Sequence, residues 1–383
     1  MVPFDLHCRT RIIFGEGSLS RLGELASEIG ARRALVVSDP GIIQVGHTQR
    51  GIDALVAAGI ETHLFEGVHE NPTSEDVERG AATARRYEPE IIVGLGGGSS
   101  MDCAKGMNFV YTNGGSMKDY WGMGKALKPM LPMIAVPTTA GTGSETQSFA
   151  LISDAETHAK MACGDKKAAF RVAVLDPLLT LTQPPMVTAL TGIDAISHAL
   201  ETYVTTKRNA ASAAFSRQAW RLLAANFGRV LSSPDDLEAR SAMQLGACYA
   251  GMAIENSMLG AAHALANPLT AHCGVVHGQA IGLMLPHVIR FNGQRFAKSY
   301  RELIHASADE PSMPKLGDSV DELSDFVTSL VDKAGLATHL SQIGIEVTKL
   351  PQLAEDAAKQ WTGTFNPVEV GVPELLALYK AAL

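Results

Sequence analysis

PEIIVGLGGGSSMDCAKG (residues 89–106) decides the fold. A short run rich in isoleucine and valine breaks at Gly96-Gly97-Gly98, and the segment from Ser99 to Lys105 then reads as the opening of a helix. Strand, glycine turn and helix in that order make half of a βαβ unit, and the flanking segments repeat the alternation. ARRALVVSD (31–39) is a strand that ends on an acid before Pro40-Gly41, and ETHLFEG (61–67) is another. Residues 74–86 are helical, and KPMLPMIAVPTTAGTGSE (128–145) is a buried strand running into a Thr/Gly loop. Strands alternating with helices predict a largely parallel sheet.

From Pro184-Pro185 the pattern changes. VTALTGIDAISHALETYVT, AASAAFSRQAWRLLAANFGRVL, LEARSAMQLGACYAGMAIENSM and SVDELSDFVTSLVDKAGL carry alanine and leucine at three- and four-residue spacing, with almost no strand signal. The expectation is an α/β N-terminal domain with a largely parallel sheet at residues 1–185, followed by an all-α domain at 186–383. A chain of 383 residues fits two domains, since single cores stop growing beyond about 250–300 residues.

A net charge of −8 and the lack of any basic cluster exclude a general nucleic-acid or anionic-membrane binder. No stretch is apolar over the roughly 18–20 residues of a membrane span, and MVPFDLHCRTRIIFGEGS lacks the apolar centre of a secretion signal. The five cysteines are odd in number, scattered and without a C-x-x-C pair, so they read as free thiols in a reducing, cytoplasmic setting.

Three groups of residues carry chemistry. The glycine turn at 96–98 lets a backbone approach a pyrophosphate, and the helix behind it offers free N–H groups and a positive dipole end. It departs from the dinucleotide fingerprint, whose ribose-binding acid follows the glycines. Here Asp39 precedes them, at the end of an earlier strand, where its carboxylate fits either a ribose diol or a turn before Pro-Gly. A carboxylate on the ribose repels a 2′-phosphate, which favours NAD over NADP. Pro137-Thr138-Thr139-Ala140-Gly141-Thr142-Gly143-Ser144-Glu145 offers hydroxyls suited to the ribose, phosphate and carboxamide of a nucleotide. Finally, Asp194 and His198 stand at i and i+4, one face of a helix, with His263 and His277 further on. One carboxylate and three imidazoles make a nitrogen/oxygen set for Fe²⁺ or Zn²⁺, although each residue alone also fits ordinary packing.

As a set, GGGSSMDCAKG (96–106), PTTAGTGSE (137–145), GIDAISHALE (192–201) and HGQAIGLMLPHVIRFN (277–292) resemble the iron-dependent (group III) alcohol dehydrogenase family, to which lactaldehyde reductase and 1,3-propanediol dehydrogenase belong. The likeness spans essentially the whole chain. It implies a dehydroquinate-synthase-like fold and hydride transfer between NAD(H) and a small alcohol or its aldehyde or ketone. It also implies a homodimer, and Asp194, His198, His263 and His277 as ligands of iron, with zinc suited to the same donors. Cofactor contacts are implied at Asp39, Asn71, Gly97, Gly98, Ser99, Asp102, Thr138, Thr139, Thr142 and Lys160, with Phe149 and Leu179 near the cofactor.

One departure stands beside the ligands. Relatives read H-x-x-x-H-P after the third ligand, whereas this chain has His263-Ala264-Leu265-Ala266-Asn267-Pro268. Asn267 hydrogen-bonds but exchanges no proton near neutral pH. Asn267, His272 and His277 are therefore the candidates for the residues nearest the reaction, with His272 a substitute for the lost proton carrier. Competing readings are a maleylacetate-reductase-like enzyme, a hydroxyacid–oxoacid transhydrogenase, and a catalytically silent nucleotide-binding protein.

Overall fold

Strands that are apolar at every position must bury both faces of their sheet. The computed structural model describes residues 2–157 and 159–383 and shows why the N-terminal half carries such strands. One compact unit comprises His7–Thr139 and Ser144–Gln183; the other comprises residues 2–6, Ala140–Gly143 and Pro184–Leu383.

The first unit holds β1 (Arg11–Phe14), β2 (Arg33–Val37), β3 (Glu61–Phe65), β4 (Ile91–Gly96), β5 (Gly122–Met123), β6 (Met133–Pro137), β7 (Phe149–Ser153), β8 (Lys160–Gly164) and β9 (Val172–Leu175). Its helices are α1 (Leu22–Glu28), α2 (Pro40–Gln44), α3 (His47–Ala57), α4 (Ser74–Tyr87) and α5 (Gly98–Asn113). A six-stranded sheet runs in the order β1-β9-β6-β4-β2-β3, with every neighbour parallel. Side chains alternate along it with period two. Ala34, Val36, Ile91, Val93, Ile134 and Val136 pack with Leu22, Leu25 and Leu55 on one face. Leu35, Val37, Ile92, Met133 and Ala135 pack with Met101, Ala104 and Met107 on the other. A smaller sheet, β5-β8-β7, pairs β5 with β8 in parallel and β8 with β7 as an antiparallel hairpin.

This order places a topological switch between β2 and β4: the chain leaves β2 for β3 on one side and returns to β4 on the other. In open parallel sheets the crevice beyond the carboxyl ends of the strands at such a switch is where ligands bind. Asp39, the glycine turn and Thr138-Thr139 follow the ends of β2, β4 and β6, which are neighbours in the sheet.

The largely parallel sheet expected from the sequence is present, built on β2, β3, β4 and β6 as anticipated. Five strands were not anticipated. β1, β5 and β9 have two to four residues each, and no helical pattern brackets them. β7 and β8 form a local hairpin outside the βαβ rhythm.

The second unit has no strand among its described residues. Its helices are α6 (Pro185–Val204), α7 (Ala210–Ser232), α8 (Leu237–Asn256), α9 (Ala261–Cys273), α10 (His277–Ser307), α11 (Val320–Lys333), α12 (Leu350–Ala358) and α13 (Val372–Ala381). Proline at the first position of α6 costs nothing, because that N–H has no partner within a helix. The small residues of α6 to α9 admit close packing around the fully buried Tyr203, Trp220 and Phe227. The short segment Ala140–Gly143 belongs to this unit. Gly143 has φ +64°, and a Cβ there would lie 2.6 Å from Gly251 Cα, so that turn admits only glycine.

Candidate metal centre and cofactor loops

Helix α6 carries Asp194 and His198 one turn apart and buried, His263 is the third residue of α9, and His277 is the first of α10. Asp194 Oδ1 lies 3.3 Å from His198 Nε2, 3.5 Å from His263 Nε2 and 3.6 Å from His277 Nε2. The His198 and His263 Nε2 atoms are 3.2 Å apart. Ligand atoms of Asp194, His263 and His277 all lie within 4.8 Å of one another, and His198 joins them through its contacts to two of the three. Donors held about 2.0–2.2 Å from a tetrahedral ion stand about 3.4 Å apart, the spacing seen here.

The chemistry of the donors fits an ion as well as their spacing does. Asp194 Oδ1 is buried and makes no hydrogen bond. His263 Nδ1 is 2.5 Å from Glu201 Oε2. An ionised carboxylate only accepts, so Nδ1 carries a proton, and Nε2 is the nitrogen left to bind an ion once its own proton is displaced. Nε2 faces the Asp194 oxygen and the His198 nitrogen, and a cation set among these atoms displaces the proton that Nε2 carries near neutral pH. Burial raises the Asp194 carboxyl, but the three imidazoles outweigh it and hold the group well below the usual carboxylate range. Burial likewise lowers His263, while Glu201 and Asp194 raise it further, to about 9. Of the four side chains His277 is the most exposed, at 26 % against 5–7 % for the others, which marks the open side of the centre.

Asn267 lies one turn beyond His263 on α9 and donates to Gln360 Oε1 at 3.0 Å. His272 lies nine residues beyond His263, about 13 Å along the axis and on the opposite face of the helix at 1.5 Å and 100° per residue. It is half-exposed and pairs with Asp356 at 3.1 Å. The structure therefore does not bring His272 to the four candidate donors; its partner is the part-buried Asp356.

In the other unit the glycine turn depends on Gly96, whose φ is +152°. A Cβ there would overlap the Ser100 hydroxyl and come 2.9 Å from Asp39 Oδ2. Gly97 caps α5 without a side chain, which leaves the first N–H groups of the helix available to an anion. Asp39 Oδ1 accepts from Ile42 N and Oδ2 from Ser100 Oγ, both at 3.1 Å, so the turn-forming role is present in the structure. Asn71, in the left-handed region at φ 53°, donates its backbone N–H to Ser99 Oγ at 3.3 Å, bringing together residues far apart in sequence. Asp102 accepts from Ser144 Oγ and Leu151 N. Thr138 N donates to Gly96 O, its own hydroxyl is buried without a partner, and Thr139 lies against Gly97. Phe149 and Lys160 begin β7 and β8. Gly98 is the first residue of α5, and Thr142 belongs to the helical unit. Leu179 is fully buried in one sheet face.

Two buried groups were missed in the sequence. Glu201 lies on α6 three residues beyond His198 and seven beyond Asp194, the spacing of one helix face, and that spacing was the available signal. Lys105 is fully buried and donates to Ser144 O, Ser144 Oγ and Phe149 O at 2.7–2.8 Å, tying α5 to the segment after β6. Nothing in its spacing distinguishes it from a surface lysine.

Residues 9–177 match the model of the iron-containing alcohol dehydrogenases, and residues 188–383 match the C-terminal model of the same family. The chain belongs to the iron-containing alcohol dehydrogenase family. Alcohol dehydrogenase 4 of Schizosaccharomyces pombe is 34% identical to it over 381 residues, covering 97% of this chain and 87% of that protein. A crystal structure of 1,3-propanediol oxidoreductase superposes with a TM-score of 0.94 at 33% identity, over 100% of both chains. Sulfoacetaldehyde reductase from Bifidobacterium kashiwanohense, solved in complex with NAD⁺, does so with a TM-score of 0.88 at 28% identity, over 100% of this chain and 99% of that one. The family places this dehydrogenase among metal-dependent oxidoreductases that pass a hydride between a nicotinamide cofactor and an alcohol–carbonyl pair. No helix among the described residues is long and apolar enough to cross a membrane.

Proposed function

We propose that Asp194, His198, His263 and His277 hold one divalent ion, iron with zinc fitting the same donors, and that this dehydrogenase acts on a primary or secondary alcohol. In this reading residues 1–185 form the NAD-binding domain and residues 186–383 the metal-binding catalytic domain. The observation that carries it is a buried Asp194 oxygen with no hydrogen bond, ringed by three imidazole nitrogens at 3.3–3.6 Å. When bound, the ion supplies Lewis acidity at the alcohol oxygen and the nicotinamide supplies the hydride acceptor.

The protein's own contribution is positional. His277 borders the open side where a substrate oxygen enters, and the other three ligands are sealed from water. Gly97, Gly98 and Ser99 offer the start of α5 to a pyrophosphate, beside Asn71 and Asp102. Thr138, Thr139, Thr142, Phe149, Lys160 and Leu179 complete the cofactor set implied by the family likeness. Asp39, beside the glycine turn, suits a ribose diol and repels a 2′-phosphate, which supports NAD over NADP. The described cysteines are all free thiols, as suits the reducing cytoplasm, and the family likeness supports a homodimer. A complete donor set favours this reading over a reductase that works without a metal.

The test is His263→Ala assayed beside the parent protein with NAD(H) and NADP(H). The substitution is expected to empty the metal site and cut turnover about a thousand-fold or more, since Lewis-acid stabilisation contributes several kcal/mol at roughly 1.4 kcal/mol per tenfold. NAD affinity should be unchanged, and the parent should prefer NAD(H) in kcat/KM. Activity retained by a metal-free variant sinks the ligand assignment, and equal efficiency with both cofactors sinks the role of Asp39.

A further inference from the structure

Glu201 is buried, its side chain 4 % exposed, and both of its oxygens are engaged at the start of α9. Oε1 accepts from Ala262 N at 2.7 Å and Oε2 from His263 Nδ1 at 2.5 Å. Space is kept for it: a Cβ on Gly260 would stand 3.0 Å from Glu201 Oε1. Asp194, His198 and Glu201 project from one face of α6, so a single helix carries two donors and the carboxylate behind a third. A neutral imidazole has one protonated and one bare nitrogen, and the partner of one decides which is which. Since an ionised carboxylate only accepts, Glu201 holds a proton on Nδ1, so the proton that an ion displaces is the one on Nε2, which faces Asp194 Oδ1 and His198 Nε2 at 3.5 and 3.2 Å.

We propose that Glu201 is a positioning residue of the metal centre: it fixes the tautomer and ring orientation of His263 and strengthens it as a donor. The proposal rests on the metal assignment made above. Carboxylates placed behind ligating histidines act in this way, and their loss costs about 10–100-fold in metal affinity. The competing role is purely structural, since Glu201 Oε1 also caps α9, whose own N-cap Gly260 provides no side chain.

Glu201→Gln separates the two roles. Its amide oxygen still accepts from Ala262 N, but its NH₂ donates to His263 Nδ1 and so moves the ring proton to Nε2, the nitrogen meant for the ion. The full chain is stripped of metal and titrated with Zn²⁺ against a chromophoric chelator, with thermal unfolding of the metal-free protein and NAD affinity measured alongside. The variant is expected to bind Zn²⁺ about 10–100-fold more weakly, with unchanged NAD affinity and a metal-free melting temperature close to the parent's. Parent-like Zn²⁺ affinity overturns the proposal, as does a lower melting temperature without a loss of affinity. Should Glu201→Gln fail to fold, Glu201→Asp decides: it keeps the charge but draws the carboxylate back by one methylene, and parent-like Zn²⁺ affinity there overturns the proposal as well. A parent protein that binds no Zn²⁺ refutes the metal centre itself, an outcome distinct from either.

Discussion

Glu145, the last residue of the Thr/Gly loop, has its carboxyl where water does not reach it. Burial pushes the group up to about 7, against smaller opposing pulls from a backbone N–H and from Lys105. A carboxyl raised in the folded state binds its proton more tightly there than in the unfolded chain. Its contribution to stability is full below the ordinary value near 4.5 and is lost as pH climbs through 7. Glu145→Gln removes the charge, so it should stabilise the protein more at pH 8.5 than at pH 5.5. The full effect is up to about 3 kcal/mol, from roughly 1.4 kcal/mol per pKa unit. Urea unfolding at the two pH values measures the gap, and an equal gap at both contradicts a buried Glu145 whose carboxyl is raised. Residues of this kind are poorly legible in sequence. The i,i+4 pair Asp194 and His198 was visible because helical spacing puts two donors on one face. Lys105 was not, because a lysine looks the same in sequence whether its ammonium meets water or, as here, Ser144 and the Phe149 carbonyl. His272 shows the reverse case: proximity to His263 in sequence made it a candidate, and helix geometry turned it to the opposite face, toward Asp356.

The element that organises the α/β unit is β4, the glycine turn and α5. The turn depends on φ +152° at Gly96 and on the gap between that Cα and the side chains of Ser100 and Asp39. Gly96→Ala places a methyl in that gap and in a region L residues avoid, a strain of about 1–3 kcal/mol. NAD binding should weaken about tenfold to a hundredfold, at roughly 1.4 kcal/mol per tenfold, while metal content stays at the parent level. Calorimetric titration with NAD⁺ and metal analysis read the two separately, and unchanged NAD affinity removes the turn from the cofactor site. Strand, turn and helix were readable here because the apolar run, the glycines and the helical pattern meet end to end. The paired strands β7 and β8 were not, because their partner lies a few residues away along the chain and owes nothing to the βαβ alternation. β9 has four buried residues and lies between β6 and β1, so what makes it a strand is its neighbours, which local sequence does not state.

At the scale of the whole molecule, the proposed function assigns the cofactor to one compact unit and the metal donors to the other. The parallel sheet carries, at the switch between β2 and β4, the crevice proposed above for the nucleotide. The helical unit supplies four donors from α6, α9 and α10, with His198 and His263 separated by 65 residues. Such a centre depends on packing over long sequence distances, and spacing alone could propose His263 and His277 but not bring them to Asp194. Ordered family motifs supplied that link in the sequence, and the folded helices supply it physically. A metal bound by side chains from three helices adds its binding free energy to the stability of the folded chain. The central claim is that Asp194, His198, His263 and His277 form one metal centre. It is tested most directly by the metal-to-chain ratio, from elemental analysis after anaerobic loading with Fe²⁺ and gel filtration. The parent protein and four single alanine variants, one at each donor, are measured with NAD binding as the control for folding. The expected result is one ion per chain in the parent and a ratio near zero in each folded variant; a full ion retained after any of the four substitutions contradicts that residue's place in the centre.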